Sequence, residues 1–303
     1  MLSRIGTFSN ANALMNASLK TQAQMADQQS QQASGYRSTT FGGLAGDASK
    51  LLNLSGQSDR LSADTAAATS AASQVQAAYS ATTNIVDLAT TVRSQLAAAI
   101  SGASGSSGVA AVTGQTVSNW LSTLQSELNT EVGGVYVFAG QASDQPPADF
   151  TNPNYAPTDG SPPDTGYYVG SDAARTLNTS QRVSVTVAAN ADASGFAKLA
   201  NALSMMLANP SDPATLQAAF NAVGSATTDL GATQATLSSQ AASLDTIINT
   251  NNDKVTTLDN LATALDGADL ATATVKVTQY QSQLEALYSA ISKLSQNSIL
   301  KYL

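Results

Sequence analysis

The sequence predicts a mainly α protein: long antiparallel terminal helices in a coiled-coil-like bundle, with a small β-containing domain inserted between them. Three observations predict it. All eight prolines fall between Pro146 and Pro213, so both flanks lack the residue that removes a helix N–H and clashes with the preceding turn. Ala, Ser and Thr dominate while only 5% of residues are aromatic, a composition suited to helices packed closely through small side chains. The C-terminal flank carries a sustained heptad pattern.

The N-terminal flank opens with a helix over residues 1–34 and a weak seam at Ile5, Phe8, Met15 and Leu19. Gly35, Gly42, Gly43 and Gly46 then form a cluster of helix breakers. Helical pattern resumes near Asp47 with Leu51, Leu54 and Leu61, and continues through Val75, Ile85, Val92 and Ile100. A Gly/Ser loop at 101–108 leads to an amphipathic stretch with Val117, Trp120, Leu121, Leu124 and Leu128.

The middle of the chain has a different texture. Val135, Val137 and Ala139 alternate with Tyr136 and Phe138, which reads as a short strand. Residues 141–166, rich in Pro, Asp, Ser and Thr, read as loop; Tyr167–Val169 and Val183–Val187 read as strands. Helix resumes from Phe196 to Leu207, with Pro210 and Pro213 at a turn.

In the C-terminal flank, steps of four and three from Val223 land on Leu230, Leu237, Leu244, Ile248, Val255, Leu258 and Leu265, with polar Thr227, Gln234 and Asn251 between them. That seam would span roughly 60 Å of helix and needs partners. A second seam, Val277, Tyr280, Leu284, Leu287, Ile291 and Leu294, is out of phase with the first. Residues 266–271, including Gly267, therefore read as a break between two helices, with a stutter in one continuous helix as the alternative. Apolar residues persist to the end at Ile299, Leu300, Tyr302 and Leu303, where chains are usually polar and frayed. Apolar stripes at both termini imply burial by other subunits, with a self-contained intramolecular bundle as the alternative. The expected layers are 1–34 with 272–303, then 35–140 with 196–271, then a β-containing domain at 141–195.

Composition narrows the function. The absence of Cys and His excludes thiolate chemistry, imidazole bases and nearly all zinc sites. A net charge of −8, with 13 scattered Lys and Arg, does not make the basic patch of a nucleic-acid binder. The first ten residues lack the apolar core of a signal peptide, and no stretch is apolar enough to span a membrane. Asp144, Asp149, Asp159, Asp164 and Asp172 cluster without calcium-loop spacing and read as solvated turns. Gly102, Gly105 and Gly108 are not followed by the Lys-Ser/Thr of a phosphate loop. No nucleophile has an activating base, so the chain reads as a non-enzyme without cofactor or metal. Asp47 and Ser49 are candidate helix caps; Arg37 and Arg60 read either as ion-pair donors or as exposed surface charge; and Trp120 reads as a core residue, with a partner-binding anchor as the alternative.

The pattern resembles the flagellin superfamily. Its N-terminal stretch closes on Ser34-Gly35-Tyr36-Arg37, similar to the Ser-Gly-x-Arg element of that superfamily, and Leu284–Leu303 is similar to its C-terminal helix. Within it, Gly134-Val135-Tyr136-Val137-Phe138-Ala139-Gly140 resembles the element of the hook-associated protein 3 family, the hook–filament junction proteins, through Gly134, Tyr136, Phe138 and Gly140. The chain departs from that family at Gly42–Asp47, where an Asp-Asp-Pro element is common. The resemblance implies terminal helices forming the inner tube of a hollow filament, with the middle domain facing outward. It implies export through the flagellar type III channel without a cleaved signal, and an extracellular flagellar location. Implied partners are further copies of the chain, the first hook-associated protein, flagellin and an export chaperone. A divergent flagellin is the alternative. A secreted adhesin using Tyr155, Tyr167 and Tyr168 is a lower one.

Overall fold

The computed structural model describes residues 2–102, 112–158, 162–178, 184–187 and 189–296, with the side chains of 2–8 and 295–296 outside the description. Six helices carry it: α1 (Leu2–Ser34), α2 (Ala48–Gly102), α3 (Gly114–Leu128), α4 (Ser194–Ala208), α5 (Pro213–Asp266) and α6 (Leu270–Gln296). Four short strands form two antiparallel pairs: β1 (Glu131–Val132) with β2 (Val135–Tyr136), and β3 (Arg175–Asn178) with β4 (Ser184–Val187). The mainly α architecture with long packed helices is as the sequence predicts. The chain divides into two compact units, Met1–Arg60 with Lys254–Leu303 and Leu61–Asp253; α2 and α5 contribute to both.

Helix starts follow local chemistry. The Asp212 carboxylate accepts the Thr215 N–H at 2.9 Å and caps α5, with Pro213 at the first helical position where its missing N–H costs nothing. Asp269 accepts the N–H groups of Ala271 and Thr272 at 3.1 Å and caps α6. Thr113 does the same for α3 through Thr116 N–H at 3.2 Å. The Thr215 and Thr272 hydroxyls also donate to Asp212 and Asp269, at 2.7 and 2.6 Å, and these bonds first, then the backbone N–H bonds, favour the ionised carboxylates and lower their pKa values below the ordinary range. Along the helices, threonine hydroxyls donate back to the carbonyl four residues earlier, as in Thr65 to Leu61, Thr82 to Ala78, Thr227 to Val223 and Thr246 to Ala242.

The Leu61–Asp253 unit holds a closed core. On α2 the buried seam runs Ala68, Ala71, Val75, Ala78, Thr82, Ile85, Ala89, Val92 and Leu96 in alternating steps of three and four. On α5 it runs through Leu216, Ala219, Val223, Ala226, Leu230, Leu237 and Leu244 to Asn251. The alanines let the helices approach closely, and the larger residues fill the space between. Val117, Trp120, Leu124 and Leu128 of α3 and Phe196, Leu199, Leu203 and Met206 of α4 complete it. Trp120 is a core residue. Gln234 donates to Thr83 Oγ1 at 2.9 Å across the α2–α5 seam.

Two strand expectations need correction. Only Val135 and Tyr136 of the 135–139 stretch pair as strand; Val137, Phe138 and Ala139 are all buried in succession, which an alternating strand cannot achieve. Around Tyr167–Val169, only Tyr168 makes a single bridge, to Ala148. Val183 lies outside the described residues, and Ser184–Val187 is β4. The strand β3, absent from the sequence reading, pairs with it from Arg175–Val187 to Asn178–Ser184.

Candidate assembly surface on the paired terminal helices

In the other unit, α1 lies antiparallel to α6. Gln22 donates to the Tyr288 hydroxyl at 2.7 Å and Gln32 to Thr274 Oγ1 at 3.0 Å. The face α6 lays against α1 carries the seam from Val277 to Leu294: Leu284 is buried, Val277, Tyr280, Leu287, Ile291 and Leu294 are half-buried, and Ala273, one turn earlier and outside the predicted seam, is buried too. The facing seam on α1 is Ala11, Leu14, Ser18, Thr21, Met25 and Gln28, again in steps of three and four. Ser18 and Thr21 are the buried members, and Thr21 returns its hydroxyl to the Ala17 carbonyl at 2.9 Å. Their small size permits close approach at little apolar gain.

Met15 and Leu19 lie one position round from that seam and are 59% and 58% exposed. The side chains of Ile5, Phe8, Ile299 and Leu303 fall outside the described residues. On α6, Val275 and Tyr288 are exposed as well, and neither stands in the heptad pattern. On α1 the face bearing Met15 and Leu19, and on α6 the position of Val275, lie away from the pairing seam, whereas Tyr288 flanks that seam and reaches Gln22. No periodicity in the sequence marks Val275, which stands off the α6 seam.

The loops leaving this pair are tied together. Gly35 ends α1 in the left-handed conformation at φ 76°, its N–H reaching the Gln31 carbonyl at 2.9 Å. Tyr36 bridges Gly267: Arg37 N–H donates to the Asp266 carbonyl at 2.6 Å and Ala268 N–H to the Gly35 carbonyl at 2.9 Å. The predicted break at 266–271 is real, and it pairs with the break after Ser34. Two 3₁₀ turns within Phe41–Asp47 meet at a kink at Ala45, which takes φ 48°, and Leu44 there is buried. The Asp47 carboxylate meets Arg37 at 3.0 Å and Lys50 at 3.3 Å, and these cations hold it below the usual carboxylate range. Asp47 is thus an ion-pair centre.

The inner seam residues Leu230, Leu237 and Leu244 are fully buried, while Ile248, Val255, Leu258 and Leu265 are half-buried. In the Gly134–Gly140 element, Gly133 and Gly134 take positive φ in the two-residue turn joining β1 to β2. Phe138 packs edge-on to Phe196 at 5.4 Å. Gly140, at φ 61°, lies so close to the Ser171 and Ala173 carbonyls that a β-carbon would overlap both. Tyr136 is half-buried.

The tyrosines of the middle domain do not form an outward binding face. Tyr167 is buried against Phe150 and Tyr155, and its hydroxyl donates to the Ala191 carbonyl at 2.6 Å. Tyr155 bonds Ser204 at 3.1 Å. Burial raises the pKa of both phenols, so they stay neutral hydrogen-bonding groups. Asp149 and Asp164 turn their carboxylates onto N–H groups of their own loop, at Thr151 and Gly166; Asp159 lies outside the described residues.

The profile for the bacterial flagellin N-terminal helical region matches residues 5–143, and that for the bacterial flagellin C-terminal helical region matches 214–303. No curated protein matches the sequence. Among solved structures, a Vibrio parahaemolyticus protein described as a flagellar hook-associated protein aligns with a TM-score of 0.52 at 14% identity, over 71% of this chain and 95% of that one. FlgL of Bacillus cereus aligns with a TM-score of 0.47 at 14% identity, over 71% of this chain and 99% of that one.

Proposed function

The chain belongs to the bacterial flagellin family, and on that premise we propose that it is a structural subunit of the flagellum seated between hook and filament. One observation carries the assembly part of this reading: α1 and α6 pair through a single seam and leave Met15, Leu19 and Val275 open. A paired layer with apolar side chains on its outer faces is stable when neighbouring copies cover them. Residues 1–34 with 272–303 would line the inner tube, 35–140 with 196–271 would surround it, and 141–195 would face outward.

Placement at the junction rests on the Gly134–Gly140 element. Neighbours in this reading are further copies, the first hook-associated protein and flagellin, with an export chaperone before passage through the type III channel. The role is mechanical, without catalysis or cofactor. Among the described residues no helix is long and apolar enough to cross a membrane.

Immunogold labelling of intact flagella tests the placement. Label confined to the hook–filament boundary supports it; label along the filament makes the chain a filament flagellin. Removing Leu284–Leu303 should abolish assembly while the Leu61–Asp253 unit keeps its fold, and filaments restored by the truncated protein would refute the interface.

A further inference from the structure

The terminal unit carries a groove of about 440 Å³ that the α1–α6 pair does not use, formed by the linker after α1, the start of α2 and the end of α5. Three large apolar side chains open onto it, Tyr36, Phe41 and Leu52, each more than half exposed. Three carboxylates rim it: Asp59, Asp259 and Asp266. Asp259 accepts a hydrogen bond from Ser58 at 3.0 Å, and Oδ1 of Asp266 is buried without a donor. Among the described residues no lysine or arginine forms an ion pair with any of the three.

An apolar groove with uncompensated negative charge is complementary to a segment that offers an apolar side chain beside a cation. The same unit displays such a segment. Val275, in the second turn of α6, is 67% exposed, and the exposed Lys276 follows it. Lys276 influences Asp269 through its charge without forming an ion pair. Leu19–Lys20 on α1 repeats the pattern, but Leu19 lies in the middle of α1 and is 58% exposed, whereas Val275 lies just past the break that follows Asp266 and is 67% exposed. Val275–Lys276 is the more open of the two segments. Groove and segment are different patches of one chain, so their contact can repeat head-to-tail from copy to copy, the kind of contact that builds rings and helical arrays.

We propose that this groove seats the Val275–Lys276 segment of a second copy of the chain. The proposal rests on the assembling-subunit reading above and names one contact within it. The chain has no cysteine, so disulfide trapping has no background. Tagged full-length Ser55→Cys protein, altered on an exposed wall of the groove, is mixed with untagged full-length Val275→Cys protein under assembling conditions and oxidised. The mixed dimer should exceed either homodimer by about fivefold. Asp259→Lys in the groove copy should suppress it, and Lys276→Asp in the other copy should restore it. Assemblies that sediment like wild type without excess mixed dimer overturn the groove contact and leave the subunit reading standing. Excess mixed dimer indifferent to both charge reversals overturns the charge complementarity. Wild-type protein that never sediments as an assembly overturns the subunit reading itself, and this contact with it.

Discussion

The two units are built from the same kind of helix and reach opposite ends. In Leu61–Asp253, two long helices, two short ones and the Phe138 loop close around a continuous core from Ala68 to Leu244. In the terminal unit the buried apolar side chains among the described residues are Leu44, Ala273 and Leu284, and the α1 seam is mostly small or polar side chains. Small side chains permit close helix approach in both. Only where a third and fourth element add bulk does that approach become a core. The terminal pair has no third layer of its own.

That contrast can be tested from its strongest point downward. Phe138→Ala removes a fully buried ring from its edge contact with Phe196 and should cost the Leu61–Asp253 unit about 3–5 kcal/mol in urea unfolding. A cost under about 1 kcal/mol would mean this unit is far looser than its burial implies. Leu237→Ala and Leu284→Ala make the comparison directly. The first should cost about 3 kcal/mol; the second should cost about half of that or less, because a shallow seam collapses around the missing atoms. Equal costs would erase the distinction between the units.

Ala45→Gly should stabilise the terminal unit by about 1 kcal/mol, since a β-carbon at φ 48° and ψ −121° is strained and glycine is not. A melting temperature that stays put or falls would show the strain is absent. The smallest effect concerns Asp47, whose folded pKa is depressed by Arg37 and then Lys50. Its contribution is complete above the unfolded carboxylate value of about 3.9 and disappears as pH falls through the lower folded value. Carboxyl NMR should find Asp47 titrating below the usual aspartate range, and Arg37→Gln should raise it part of the way back, with Lys50 still holding it down.

Much of this was legible in the sequence, for identifiable reasons. Proline confinement marked both helical flanks, and the glycines at 35 and 267 marked the breaks, because each acts on the backbone locally. The α6 seam from Val277 to Leu294 and the α5 leucines could be read from spacing alone. The α2 seam was harder, since Ala68, Ala71, Ala78 and Ala89 are buried for their smallness and give little apolar contrast. The same cause hid the inner face of α1: packing chose Ser18 and Thr21, while hydrophobicity pointed to Met15 and Leu19. Strand β3 escaped because Arg-Thr-Leu-Asn alternates around a single buried leucine. The groove at Tyr36, Phe41 and Asp259 joins residues about 200 positions apart, which no local pattern can join.

The threonine hydroxyls that turn back onto their own helices have a mechanical consequence. Each shares a carbonyl already engaged in the helix ladder, which slightly loosens the turn and favours a bend there. With such turns repeated along α2 and α5, curvature is distributed over many residues. Any bend in such a helix is shared among many turns and not concentrated at a single weak one.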